Sequence, residues 1–228
     1  MTTTTNVAIP APQTRAQEPA RWLAFGAVAG PILFTAAWLV LGFLSPGFTI
    51  FGTQIAPYSP ISAGISGLGL GPTAPFMNAA FVLNGLLLAV GVVGIFHSIR
   101  ELSTVARWSC IVLLGLAPLG QIMDGIFTLE SFLPHFLGAG LALGAPVLTF
   151  LVTGLLLRRV PRWRRFANRS LLGSPLTLAL LVLYFATFSP TAAGAETGVG
   201  GLTERILIVE VLTWFVAMGW LAFRRQES

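Results

Sequence analysis

The sequence predicts an all-α membrane protein, a bundle of six transmembrane helices with both termini in the cytoplasm. Three observations lead there. Only 9% of the 228 residues are charged, against about 25% in ordinary soluble chains. The hydrophobic fraction is 55% and the mean hydropathy +0.83, which leaves too few polar residues to cover a soluble globule. The arginines fall almost entirely between alternate apolar runs. The composition excludes a soluble enzyme and a disordered chain. With one cysteine, Cys110, inside an apolar run, it also excludes a disulfide scaffold.

Residues 1–20 are rich in Thr, Ala and Pro and without periodicity, so they read as a disordered cytoplasmic tail. The apolar run after them is too long for a signal-peptide core and lacks a small-residue cleavage site, so it reads as an uncleaved first span. Residues 21–225 form the transmembrane domain. Its spans are predicted at about 22–44, 75–99, 107–127, 134–157, 170–189 and 206–223, with 226–228 as a short tail. Each run supplies the roughly 20 apolar residues a helix needs to cross a hydrocarbon core of about 30 Å. The third is the least apolar, because it holds Pro118, Gln121 and Asp124. The runs are too long and too continuously apolar for barrel strands.

Arginine placement orients the chain. With the N-terminus inside, twelve of the thirteen arginines are cytoplasmic and only Arg205 is outside. Cytoplasmic loops carry such an excess. A bacterial inner-membrane, multi-pass location follows as the expectation. The pI of about 11 would point to nucleic acid in a soluble protein. Here topology accounts for it, and membrane lipids are the expected partners; protein partners are left unknown. The basic loop from Arg158 to Arg169 serves as a topology determinant, with Trp163 as an interfacial anchor.

The outer loops differ from the inner ones. Ser45 to Thr73 carries no charge and is expected on the membrane surface or folded over the bundle. Ser59-Pro60 is expected to open a short helix that Gly67 ends. Pro190 to Glu204 is Gly-rich and expected to be flexible. Gly26-xxx-Gly30 and Gly140-xxx-Gly144 are expected to allow close helix packing.

Chemistry is sought among intramembrane ionisable groups, which are costly and so seldom incidental. Asp124 lies three residues before the outer end of span three and Glu210 four residues into span six. Glu130, His135, Glu204 and Arg205 are placed at the same outer level, with Asn78, Asn84 and Gln121 in the same half; His97 stands alone at the inner end. Pairing and solvent account for Glu130 and Glu204, with Arg205 neutralising Glu210 or Asp124. Asp124 and Glu210 fall within apolar runs and need another account.

Two expectations follow. One is an outward polar pocket for a lipid or small amphiphile, lined by Ser66, Asn78, Asn84, Gln121, His135, Glu204 and Arg205. The alternative is a membrane enzyme acting on a lipid or periplasmic-side substrate through Asp124, His135 and Glu210. A hydrolase trio could also be drawn from Ser66, His135 and Asp124, but nothing in the sequence fixes their mutual geometry and no GxSxG turn accompanies them. A transporter ranks third, because the midplane holds no charge in this assignment. No HExxH or Cys/His cluster marks a metal site, and any cofactor is left unknown.

Several segments together resemble a known bacterial integral membrane family, domain of unknown function 998. They are Ile65-Ser66-Gly67-Leu68-Gly69, then Phe76-Met77-Asn78 and Leu83-Asn84-Gly85-Leu86-Leu87. Pro134-His135-Phe136-Leu137-Gly138-Ala139 and Gly200-Gly201-Leu202-Thr203-Glu204-Arg205, with Trp214 downstream, complete the pattern. The resemblance implies a six-helix bundle. It picks out Ser66, His135, Glu204 and Arg205 as matching positions. The chain departs from the family at Gly67, where an acidic residue is frequent.

Overall fold

The computed structural model describes residues 22–190 and 196–224. The tail 1–20 and the end 226–228 lie outside the described residues. Six helices are long and apolar enough to cross a membrane. Helix α1 (Gly26–Leu44) continues a short helical stretch from Trp22. It is followed by α2 (Ala74–Ser98), α3 (Thr104–Ile126), α4 (Phe132–Leu157), α5 (Arg164–Thr187) and α6 (Gly200–Arg224). Each helix packs on its sequence neighbours, α6 closes the ring against α1, and α2 and α6 also touch. Helices suit the apolar runs because they satisfy their own backbone groups where no water can.

The helices extend beyond the apolar runs that announce them. Helix α3 starts at Thr104, where the Ser103 hydroxyl accepts from Ala106 N at 3.2 Å and caps the first turn. Helix α5 starts six residues before the expected span, because Arg164, Arg165 and Arg169 are helical while keeping their charges at the membrane edge. Helix α6 starts at Gly200, so the part of the Gly-rich loop from Gly200 to Glu204 is a helical turn; residues 191–195 lie outside the described set. In α4 a π-helical turn spans Gly140–Gly144, just before Pro146.

Small residues set the helix spacing on one side of the ring. A Cβ on Gly91 of α2 would stand 2.7 Å from the Ala27 Cβ and 2.8 Å from its Cα, while Gly26 faces the Leu87 carbonyl. This is the close approach expected of Gly26-xxx-Gly30. Gly140 and Gly144 behave otherwise: nothing lies within 4 Å of a Cβ at either, so they do not pack a partner helix. Gly91→Leu should push α1 from α2 and cost about 1–3 kcal/mol. Thermal unfolding in detergent checks this, and an unchanged Tm contradicts it.

The core is aromatic and aliphatic. Phe34 meets Phe81 at 4.9 Å between ring centroids, and Phe150 meets Phe215 at 5.7 Å. Cys110 is fully buried in the core. Trp163, expected at the interface, is buried instead and stacks edge-on against Phe166 at 5.8 Å. Its short turn Pro161–Trp163 folds under the helix end, where burying a large indole gains more than leaving it at the surface.

Nine of the ten described arginines lie at one end of the bundle, here the arginine end; Arg205 lies at the other, the loop end. The long loop begins with a hairpin, β1 (Phe48–Ile50) against β2 (Thr53–Ile55). Phe51 and Gly52 both have positive φ, as a two-residue hairpin turn requires. The expected helix from Ser59 is only a turn, with Ala63 N donating to Ser59 O at 2.7 Å. A separate 3-10 turn, Ile65–Gly69, follows, and Gly67 sits inside it rather than ending it. Ile65 and Leu68 are fully buried, and this turn packs on α1, α2 and α6. The uncharged loop is thus a plug seated in one end of the ring.

Candidate functional site

A buried loop must find partners for its backbone groups, and the polar residues of the loop end supply them. Arg205 Nη1 donates to the carbonyls of Pro60 at 2.8 Å, Ala63 at 2.9 Å and Gly201 at 2.7 Å. Its Nη2 donates to the Tyr58 hydroxyl, and the guanidinium lies 5.4 Å from the Trp38 ring centroid. Planar guanidinium, with donors in a fixed fork, suits this combination of carbonyls and an aromatic face. Arg205 therefore does not neutralise Glu210 or Asp124 through an ion pair; its two Nη groups are engaged by the loop and by Gly201, and its Nε is buried without a hydrogen-bond partner.

Glu204, the preceding residue, is buried rather than exposed. Its Oε2 accepts from Ile65 N at 2.9 Å. Gly201 makes this seating possible, since a Cβ there would stand 2.8 Å from the Ala63 carbonyl carbon. The first turn of α6 therefore grips both sides of the residues that lead to Ser66.

Ser66 is half-buried on the 3-10 turn. Its Oγ lies 2.9 Å from His135 Nε2. His135 Nδ1 lies 2.8 Å from the Phe127 carbonyl. A carbonyl can only accept, so neutral His135 carries its hydrogen on Nδ1. Nε2 is then free to accept the Ser66 hydroxyl proton. Asp124 Oδ1 stands 3.7 Å from Nδ1 and has no hydrogen-bond partner of its own. Gly138 leaves the room: a Cβ there would meet Asp124 Oδ1, and Met123 Cβ at 3.0 Å. Ser66 of the loop and the much later His135 and Asp124 thus stand in the order hydroxyl, imidazole, carboxyl.

The other candidates fall into separate groups. Asn84 Nδ2 donates to Gln121 Oε1 at 3.0 Å, tying α2 to α3. Asn78 Nδ2 donates to Gly69 O at 3.2 Å, another tie on the loop. Glu130 is exposed and accepts from Phe51 N at 3.4 Å. His97 bonds the Val93 carbonyl of its own helix at 2.9 Å and lies exposed at the arginine end. The seven residues expected to line one pocket are therefore split between the loop clamp, the Ser66–His135 pair and the Asn84–Gln121 bridge.

Glu210 is placed differently from its sequence assignment. The early start of α6 makes it the eleventh helical residue, ~15 Å from the loop end of a helix ~37 Å long at 1.5 Å per residue. It belongs to the middle of the span, not to the outer level. Thr177 Oγ1 lies 2.9 Å from its Oε2, and Trp214 Nε1 donates to its Oε1 at 2.6 Å. Among the described residues, no three His, Cys, Asp or Glu side chains gather as metal ligands.

Fold and composition define a polytopic helical membrane protein with a loop-plugged end. The chain matches the family described as "Protein of unknown function (DUF998)" over residues 28–221 and belongs to it. No curated protein and no solved structure matches the chain.

Proposed function

We propose that the protein is a membrane-embedded serine hydrolase or acyltransferase acting on lipid esters at the loop end. The observation that carries the reading is the 2.9 Å contact between Ser66 Oγ and His135 Nε2, with Nδ1 held by the Phe127 carbonyl. In the reaction, Ser66 Oγ attacks the ester carbonyl carbon and its proton passes to His135 Nε2. The tetrahedral intermediate collapses as the leaving alkoxide takes that proton. Water, or an acceptor hydroxyl, then releases the acyl group by the same steps in reverse. Asp124, with Oδ1 3.7 Å from Nδ1, is the acidic group that faces the imidazolium formed in between. Glu204 and Arg205 are positioning residues: they hold the turn that carries Ser66.

The lipid character of the substrate is supported by the surroundings. Phe51, Ile61, Phe76, Phe132 and Leu133 are exposed apolar side chains at the same end, as expected where acyl chains approach. We place the arginine end in the cytoplasm of a bacterial inner membrane, which puts Ser66 at the opposite face. The test is release of fatty acid from phospholipid vesicles containing the protein. The wild type is expected to release it and Ser66→Ala to fall to background; equal release by both contradicts the reading.

A second reading, binding without turnover, is favoured by a groove of about 380 Å3 between α1 and α2. Leu33, Phe34, Phe76 and Leu83 line it, and Asn84 takes part in its wall. Under that reading an amphiphile co-purifies with wild type, and Ala79→Trp in the groove reduces it.

A further inference from the structure

We infer that Glu210, Thr177 and Trp214 form an exchangeable proton site in the middle of the membrane, reached from the lipid along the seam between α5 and α6. The site is separate from Ser66 and His135 and does not depend on their role.

Its geometry is built by small residues and helical spacing. Trp214 follows Glu210 by four residues and so shares its helix face. Gly173 of α5 admits the indole, since a Cβ there would stand 2.6 Å from Trp214 Cε2. Beyond Thr177, no α5 residue is fully buried, and Leu178, Val182 and Leu183 are exposed. Glu210 itself is half-buried, so the carboxyl borders the lipid rather than the packed core. A lone carboxyl in hydrocarbon is costly unless its partners suit it.

The partners suit both of its states. Trp214 Nε1 can only donate, so Glu210 Oε1 is always an acceptor. Thr177 Oγ1 lies 2.9 Å from Oε2 and 3.0 Å from the Gly173 carbonyl. With Glu210 as the acid, its Oε2–H donates to Thr177 Oγ1, whose own hydrogen goes to Gly173 O. With Glu210 as the carboxylate, the Thr177 hydroxyl turns and donates to Oε2. Every hydrogen has an acceptor in each state, and the change needs one hydroxyl rotation.

The π-helical turn Gly140–Gly144 lies at the same level, 8 to 12 residues into a 26-residue α4. It touches both α5 and α6. Such turns are frequent at functional sites.

Other ionisable groups on the packed helices lie toward their ends. They are Arg164, Arg165, Arg169 and Tyr184 on α5, Glu204, Arg205 and Arg224 on α6, His135 on α4 with Arg158 just after it, and His97 on α2; α1 has none. Arg205 is engaged by the loop, and Arg169 is eight residues from Thr177 along α5, ~12 Å away. The polar side chains hydrogen-bonded to Glu210 are Thr177 and Trp214.

The test is labelling of the full chain in vesicles with the hydrophobic reagent dicyclohexylcarbodiimide. It adds a protonated carboxyl across its C=N bond, the proton going to nitrogen and the carboxylate oxygen to carbon; the adduct rearranges to a stable N-acylurea. Peptide mass mapping should place the adduct on Glu210, with its yield falling as pH rises. Glu210→Gln should abolish it. A membrane-impermeant, water-soluble carbodiimide should leave Glu210 unmodified. Thr177→Ser should keep the pH profile of labelling, and Thr177→Val should displace it. No adduct on Glu210, a pH-independent yield, equal labelling by the water-soluble reagent, or an unmoved Thr177→Val profile overturns the inference.

Discussion

Arg205→Met is expected to unseat the loop and lower stability by about 3 kcal/mol. The guanidinium serves three carbonyls and the Tyr58 hydroxyl. Bonds from a charged donor contribute about 1.5–3 kcal/mol each, and buried acceptors left unpaired cost more than bonds never formed. The sum is less than additive, because water enters as the loop lifts. For a domain of this size each kcal/mol moves Tm by about 2–4 °C, so a drop of roughly 10 °C is expected. Arg205→Lys should recover only part of it, since one ammonium could serve the carbonyls that Nη1 holds but not also the Tyr58 hydroxyl that Nη2 holds. Thermal unfolding in detergent measures the drop. Protease susceptibility of residues 45–73 should rise in parallel. A Tm within 2 °C of wild type contradicts the clamp, because an exposed interfacial arginine costs little to remove.

His135→Ala carries the largest effect on turnover. A positioned general base contributes about 10²–10⁴ in rate, so lipid ester hydrolysis should fall by that factor. Asp124→Asn should lose less, because the Phe127 carbonyl already fixes the tautomer at 2.8 Å while Asp124 stands at 3.7 Å. Fatty-acid release from vesicles measures both. Equal losses for the two variants would assign orientation to Asp124 rather than to Phe127. A His135→Ala protein that hydrolyses at the wild-type rate removes His135 from the chemistry. Stability must be read alongside, since His135 also ties the loop to the α3–α4 junction.

The sequence made the bundle legible because apolar runs and arginine placement report on solvent, and the bilayer is a demanding one. Six runs of suitable length leave little freedom of architecture. Helix ends were less legible. Gly200 to Glu204 reads as a loop by composition, yet packing against Ala63 and Ile65 makes it the first turn of α6. That shift moved Glu210 from the outer level to mid-span. It supplies the deep ionisable group whose apparent absence had ranked transport last.

The candidate residues were legible as types but not as partners. Asp124 and His135 stand close together in the chain, yet their relation to Ser66 depends on how the uncharged loop inserts. No periodicity encodes that insertion; it follows from Arg205 and Glu204 binding backbone groups of the loop. Sequence reasoning gave Glu204 to solvent because an acid beside an arginine at a span end is usually hydrated. Thr177 was missed altogether. Its signal was present in α5 and α6, as one of several hydroxyls in a largely apolar run opposite a carboxyl, but their registers had to be known first.

The most direct test of the catalytic reading is covalent labelling of the intact membrane protein with a fluorophosphonate. A hydroxyl activated by an adjacent imidazole displaces fluoride, and the phosphonyl group stays on its oxygen. The prediction is a single adduct on Ser66, lost in Ser66→Ala and strongly slowed in His135→Gln. An unlabelled Ser66 in a folded wild-type protein, or labelling that proceeds equally in His135→Gln, would contradict the account and leave the Ser66–His135 contact as a tie that holds the loop.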